Sequence, residues 1–136
     1  MVNGKLVLVT GASRGIGKAI AHRLAAEGAS VAICSRPQPG LADLGTLDLA
    51  VSDLQVTGSK IVGIPFDLSD PSNDLSQLVA TVEQELGKID IVVNNAGSYF
   101  DVGPILDQSI ESWRRAMDNN LTTCYLVSRA AARRMI

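Results

Sequence analysis

The chain has 136 residues, 46% of them hydrophobic and 19% charged, with a net charge of −2 at neutral pH. This is the composition of one globular domain rather than a disordered segment. The acidic balance gives no electrostatic basis for binding nucleic acid or an anionic membrane surface. The first element is an apolar strand, about Lys5 to Thr10, which leads into a glycine-rich turn. An amphipathic helix follows, with Ile16, Ile20 and Leu24 as its expected buried stripe and Gly28 as a natural stop. His22 lies opposite that stripe and is expected to face solvent. Strand two is Ser30 to Cys34. After it comes a connection, Pro37-Gln38-Pro39-Gly40, with too many breakers for regular structure. Leu47, Val51 and Leu54 recur at helical spacing up to Gly58, and strand three runs from Lys60 to Phe66.

The next helix is well delimited, with Asp70 as the expected cap, Pro71 in its first turn and Gly87 as its end. Its stripe is Leu75, Leu78, Val79, Val82 and Leu86. Strand four, Ile89 to Val93, is continuously apolar, as expected of a strand covered on both faces. A helical region then runs from Ser109 to the last residue, ending in helix formers without a cap. Arg114-Arg115 and Arg133-Arg134 are expected to be solvated. The β-α alternation predicts a doubly wound parallel sheet, a Rossmann-like α/β domain over residues 1–136. That domain is expected to be incomplete after the fourth strand and the helices that follow it, leaving an apolar sheet edge.

No apolar run approaches the ~18 residues of a membrane span, and Gly4 and Lys5 do not suit a signal peptide. Cys34 and Cys124 have no metal-ligand spacing and read as reduced small hydrophobes, so no metal is expected and the cytoplasm is the expected compartment.

The turn Thr10-Gly11-Ala12-Ser13-Arg14-Gly15-Ile16-Gly17 carries the chemistry. Strand, glycine turn and helix together bring backbone N–H groups against a dinucleotide pyrophosphate. Gly11 and Gly15 suit backbone that a Cβ would obstruct, and Gly17 lets the helix lie close to the sheet. A phosphate-loop NTPase is excluded, because Ala12 and Ala19 stand where the Gly-Lys pair would need a glycine before it and a hydroxyl after it.

T-G-x-x-x-G-x-G after the first strand resembles the short-chain dehydrogenase/reductase family. Asp67-Leu68, Asn94-Asn95-Ala96-Gly97 and Asn120-Leu121 after Trp113 agree with it in order. The resemblance runs the length of the chain, and by it the chain stops a little past a member's midpoint. It implies an oxidoreductase moving hydride between a nicotinamide cofactor and a carbonyl or alcohol of small size, with a homo-oligomer for a full-length parent. In this fold an acidic residue at the end of strand two holds the NAD ribose. Here Ser35 and Arg36 stand there, and Arg14 lies in the glycine loop. By the family pattern these flank a 2′-phosphate, so NADP is the expected cofactor. The expected cofactor site is Gly11, Ser13, Arg14, Gly15, Ile16, Gly17, Ser35, Arg36, Asp67, Leu68, Asn94, Ala96 and Gly97.

In the resemblance Asp67 reads the adenine amino group; an Asx turn closing strand three would explain the same residue. Asn120 matches the family's catalytic asparagine, with a kinking or capping amide as the plainer reading. Asn119 stands where an apolar residue is usual. The family's serine and its Tyr-x-x-x-Lys pair have no match. Tyr99 is followed four residues on by Gly103, and Tyr125 by Arg129, while Ser128 lies too near Asn120. Tyr125 is expected to pack within its helix, and Tyr99 and Phe100 either to border a pocket or to make an ordinary loop contact. This leaves an enzyme's cofactor half as the first reading and a non-catalytic dinucleotide-binding or regulatory protein as the alternative.

Overall fold

The computed structural model describes residues 1–37, 47–99 and 102–136; the connection from Gln38 to Gly40, and Phe100, lie outside them. Four parallel strands, β1 (Leu6–Thr10), β2 (Ser30–Ser35), β3 (Ile61–Pro65) and β4 (Ile91–Val93), form one sheet in the order β3-β2-β1-β4. The helices are α1 (Gly15–Ala26), α2 (Leu47–Gln55), α3 (Leu75–Leu86), α4 (Ile110–Met117) and α5 (Thr123–Met135). Side chains alternate across β1 and β2, and each face has its own core. Val7, Val9, Val31 and Ile33 pack with Ala21, Ala25, Ala50 and Leu54 of α1 and α2. Leu8, Ala32 and Cys34 pack with Leu78 and Val82 of α3 and Val127 and Ala131 of α5. This is the doubly wound architecture that the alternation predicts.

The order of the strands places the site. The chain builds outward from β1 to β2 to β3, then crosses back to lay β4 on the other side of β1. Loops at the carboxyl ends of β1 and β4 therefore leave in opposite directions, opening a crevice at that switch point.

Three local expectations need correction. The buried side of α1 is Gly17, Ala21 and Ala25, one position on from the expected stripe, and Ile16 is 75% exposed. Small residues face the sheet because they let the helix axis come close, leaving Ile20 and Leu24 as flanks. His22 is exposed, as expected. Secondly, Asp74, not Asp70, caps α3, accepting from Ser76 N–H at 2.9 Å. Asp70 closes an earlier turn instead, taking both Ser72 N–H (2.9 Å) and Ser72 Oγ (2.6 Å), and Pro71 lies in that turn. Thirdly, β4 is half-buried rather than covered on both faces, because among the described residues only β1 pairs with it.

The cap has a pH signature. Hydrogen bonds from Ser76 hold the Asp74 carboxyl below its ordinary value. Its contribution to stability is therefore present above the unfolded value of about 4 and is lost as pH falls through the lower folded value. Asp74→Ala is expected to lower the thermal midpoint at pH 7, with the gap to the parent protein closing in strong acid. A gap independent of pH in a melting series would contradict this.

Candidate functional site

The crevice holds a cavity of about 290 Å³, near the small end of the range for ligand sites. Its floor is made by the ends of the strands. Gly11 N–H and Ala12 N–H donate to the Cys34 carbonyl at 2.8 and 3.3 Å, joining the glycine turn to β2. Thr10 fastens the same turn to the loop after β4. Its buried Oγ accepts from Asn95 N–H (3.1 Å) and Ala96 N–H (3.0 Å). The Asn95 amide answers by donating to the carbonyls of Thr10 (3.1 Å) and Gly11 (3.0 Å). Thr10→Val keeps the shape but leaves two N–H groups without their acceptor, at a cost of about 2 kcal/mol. Urea denaturation of the two proteins measures it, and equal midpoints would remove Thr10 from this role.

The glycines leave space where the resemblance needs it. A Cβ on Gly11 would lie 2.7 Å from Ala96 Cα, and one on Gly17 would lie 2.5 Å from the Gly11 carbonyl oxygen. Gly15 differs from the sequence reading: a Cβ there meets nothing within 4 Å, and its φ of +57° is what calls for glycine. No side chain caps α1 at Arg14, so the first-turn amides stay available to an anion at the positive end of the helix.

All the expected cofactor-site residues line this one cavity except Gly15 and Asn94. Asn94 points the other way, donating to Ser128 Oγ of α5 at 2.8 Å, because neighbours at a strand end alternate sides. Asn95 takes its place on the cavity wall. That substitution was readable from the alternation, with Asn94 and Asn95 adjacent. Two guanidinium groups, Arg14 and Arg36, stand on the lining beside Ser35, against one carboxylate, Asp67. Asp67 is also an Asx turn: its Oδ1 accepts from Ser69 N–H (2.9 Å) and Ser69 Oγ (2.6 Å). The Asx-turn reading of Asp67 thus holds, and the residue also lines the cavity. Cys34 backs the cavity as a neutral thiol, its pKa pushed up to about 12 by burial.

The region after Trp113 holds the largest departure. A π-helical turn, Asp118–Thr122, interrupts the junction of α4 and α5, a distortion frequent at functional sites. It turns both asparagines onto Ser98. Asn120 grips the backbone there, accepting from Ser98 N–H (3.2 Å) and donating to the Ser98 carbonyl (2.9 Å) and to that of Ala116 (2.8 Å). Asn119 lines the cavity, and Asn120 does not. Sequence reasoning missed Asn119 and Thr123, which only the wide turn brings to the wall. Tyr99 (91% exposed) and Tyr125 (62% exposed) do not line it. Tyr125 is therefore not the packing residue expected, because Val127 and Ala131 supply the buried face of α5.

Fold and cavity together define a doubly wound parallel-sheet α/β domain with a crevice at the switch point. The short chain dehydrogenase profile matches residues 5–136, and the chain belongs to that family of oxidoreductases. Among curated relatives, 3-oxoacyl-acyl-carrier-protein reductase of Escherichia coli is 35% identical over 98% of this chain and 50% of its own length. A metagenomic blue fluorescent protein in complex with NADPH superposes with a TM-score of 0.84 at 34% identity, over 98% of this chain and 52% of that one. A Burkholderia cenocepacia short chain dehydrogenase in complex with NADP gives 0.83 at 36% identity, with the same coverage. The chain spans about half the length of these relatives. No helix among the described residues is long and apolar enough to cross a membrane, and no group of metal-ligating side chains occurs among them.

Proposed function

We propose that residues 1–136 are the NADP(H)-binding part of a short-chain oxidoreductase that interconverts a small carbonyl compound and its alcohol. The observation that carries this reading is the pair Arg14 and Arg36 on one cavity with Ser35, with no carboxylate at the end of β2. Guanidinium groups match a phosphate in geometry and charge, whereas a carboxylate there would repel it. The remaining lining fits a dinucleotide: glycines that admit its backbone, uncapped amides for its pyrophosphate and an acceptor, Asp67, for a base amino group. When bound, the nicotinamide supplies the hydride; this chain's residues bind and orient it. Solved relatives named with NADPH and NADP support the choice of cofactor.

The chain offers no tyrosine with a lysine four residues later. On this reading it binds cofactor without turning substrate over, and a serine with Tyr-x-x-x-Lys in a longer natural product would supply the chemistry. The second reading is a dinucleotide-binding protein without catalysis. Titration of the 136-residue chain by the fluorescence of NADPH and of NADH tests the cofactor assignment. Tighter NADPH binding is expected; equal or tighter NADH binding would overturn it, and no binding of either would overturn the site.

A further inference from the structure

Several polar side chains on the cavity wall are already committed to partners within the protein. Asn95 bonds the carbonyls of Thr10 and Gly11, Ser69 bonds Asp67, and Thr123 Oγ donates to the Asn119 carbonyl at 2.9 Å. The Asn119 amide, on the wall formed by the junction of α4 and α5, is not so committed. Its Nδ2 makes one long bond, 3.3 Å to Ser98 Oγ, and among the described residues no donor to its Oδ1 is found. It is half-buried at the cavity because the π-helical turn puts it there. A straight α-helical junction would present a different sequence position.

The side of the cavity on which Asn119 stands fixes what it could touch. Helices α3 and α5 pack on one face of the sheet, and α1 packs on the other. Asp67 and Leu68 lead toward α3, and Asn119 leads into α5, so these residues border the cavity from the same face. The glycine turn and the uncapped end of α1 belong to the opposite wall. A carboxamide offers a donor and an acceptor side by side, the complement of a purine's hydrogen-bonding edge.

Resting on the proposed function, we infer that Asn119 is a further specificity-determining residue of the cofactor site, reading the adenine base together with Asp67. The π-helical turn is the device that delivers it. Asn120 anchors that turn through Ser98, which makes it a positioning residue for its neighbour.

The test uses the 136-residue chain, with NADPH, 2′,5′-ADP and reduced nicotinamide mononucleotide as ligands. Asn119→Leu keeps the shape and removes the polar pair. It is expected to weaken NADPH and 2′,5′-ADP by the same factor, about three- to tenfold for a lost hydrogen bond. Reduced nicotinamide mononucleotide, which has no adenine, should be unaffected. Unchanged 2′,5′-ADP binding overturns the inference, whether or not NADPH binding falls. Should the variant melt, the parent chain suffices: an NOE from adenine ring protons to the Asn119 amide protons is expected, and one from nicotinamide protons instead overturns the assignment. Failure of the unaltered chain to bind either NADPH or 2′,5′-ADP would sink the proposed function itself, and the role of Asn119 with it.

Discussion

Gly11→Ala is expected to cost about 3 kcal/mol of folding stability and to abolish dinucleotide binding, whereas Gly15→Ala should cost about 1 kcal/mol. Both glycines have positive φ, +64° and +57°, so alanine brings left-handed strain of about 1–2 kcal/mol at either site. Only at Gly11 does the added Cβ also strike backbone, 2.7 Å from Ala96 Cα. Backbone cannot swing aside as a flexible side chain can, and overpacking of this kind adds about 1–3 kcal/mol. Relief would push the Ala96 loop away from Thr10, breaking the hydrogen bonds that join β1 to β4 at the cavity floor. The lost stability and the lost site share one cause. Urea denaturation of the two variants separates them: losses of equal size would show that conformation alone, and not close approach, selects glycine at position 11.

That contrast also shows what the amino-acid sequence could and could not convey. A hydrophobic run followed by spaced glycines announces strand, turn and helix, and four strands alternating with helical segments announce the parallel sheet. The reason for glycine was legible at Gly11 and Gly17 but not at Gly15, because what a Cβ meets depends on the folded chain: at Gly11 it meets Ala96, 85 residues beyond, and at Gly15 open space. Nor was the buried side of α1. Hydrophobicity favours Ile16, but close approach to the sheet favours Gly17, Ala21 and Ala25, and steric fit decided. Asp70 and Asp74 are equivalent as cap residues by type; the Asp70-Pro71-Ser72-Asn73 turn consumed the first and left the second. The π-helical turn leaves no periodic mark at all. It sets Asn119 at the cavity and ties Asn120 to Ser98 and Ala116.

Charge at the mouth of the cavity should decide between the two nicotinamide cofactors. Arg14→Ala and Arg36→Ala are each expected to weaken NADPH binding about tenfold to a hundredfold, since one charge-assisted hydrogen bond contributes about 1.5–3 kcal/mol. Binding of NADH, which lacks the 2′-phosphate, should change little. The double substitution should fall short of the product of the two effects, because groups sharing one partner do not act independently. Ser35→Asp goes further by adding a repulsive element. A carboxylate at the end of β2 opposes a phosphate dianion while offering acceptors to ribose hydroxyls. It should therefore lower NADPH affinity and raise that for NADH, reversing the preference. Arg14 and Arg36 are exposed, so salt screens them, and the NADPH advantage should shrink as ionic strength rises past about 0.1 M. Titrations of the parent and all four variants at low and high salt test the whole scheme. If NADPH affinity is indifferent to both arginines and to salt, the cavity does not hold a 2′-phosphate between these side chains.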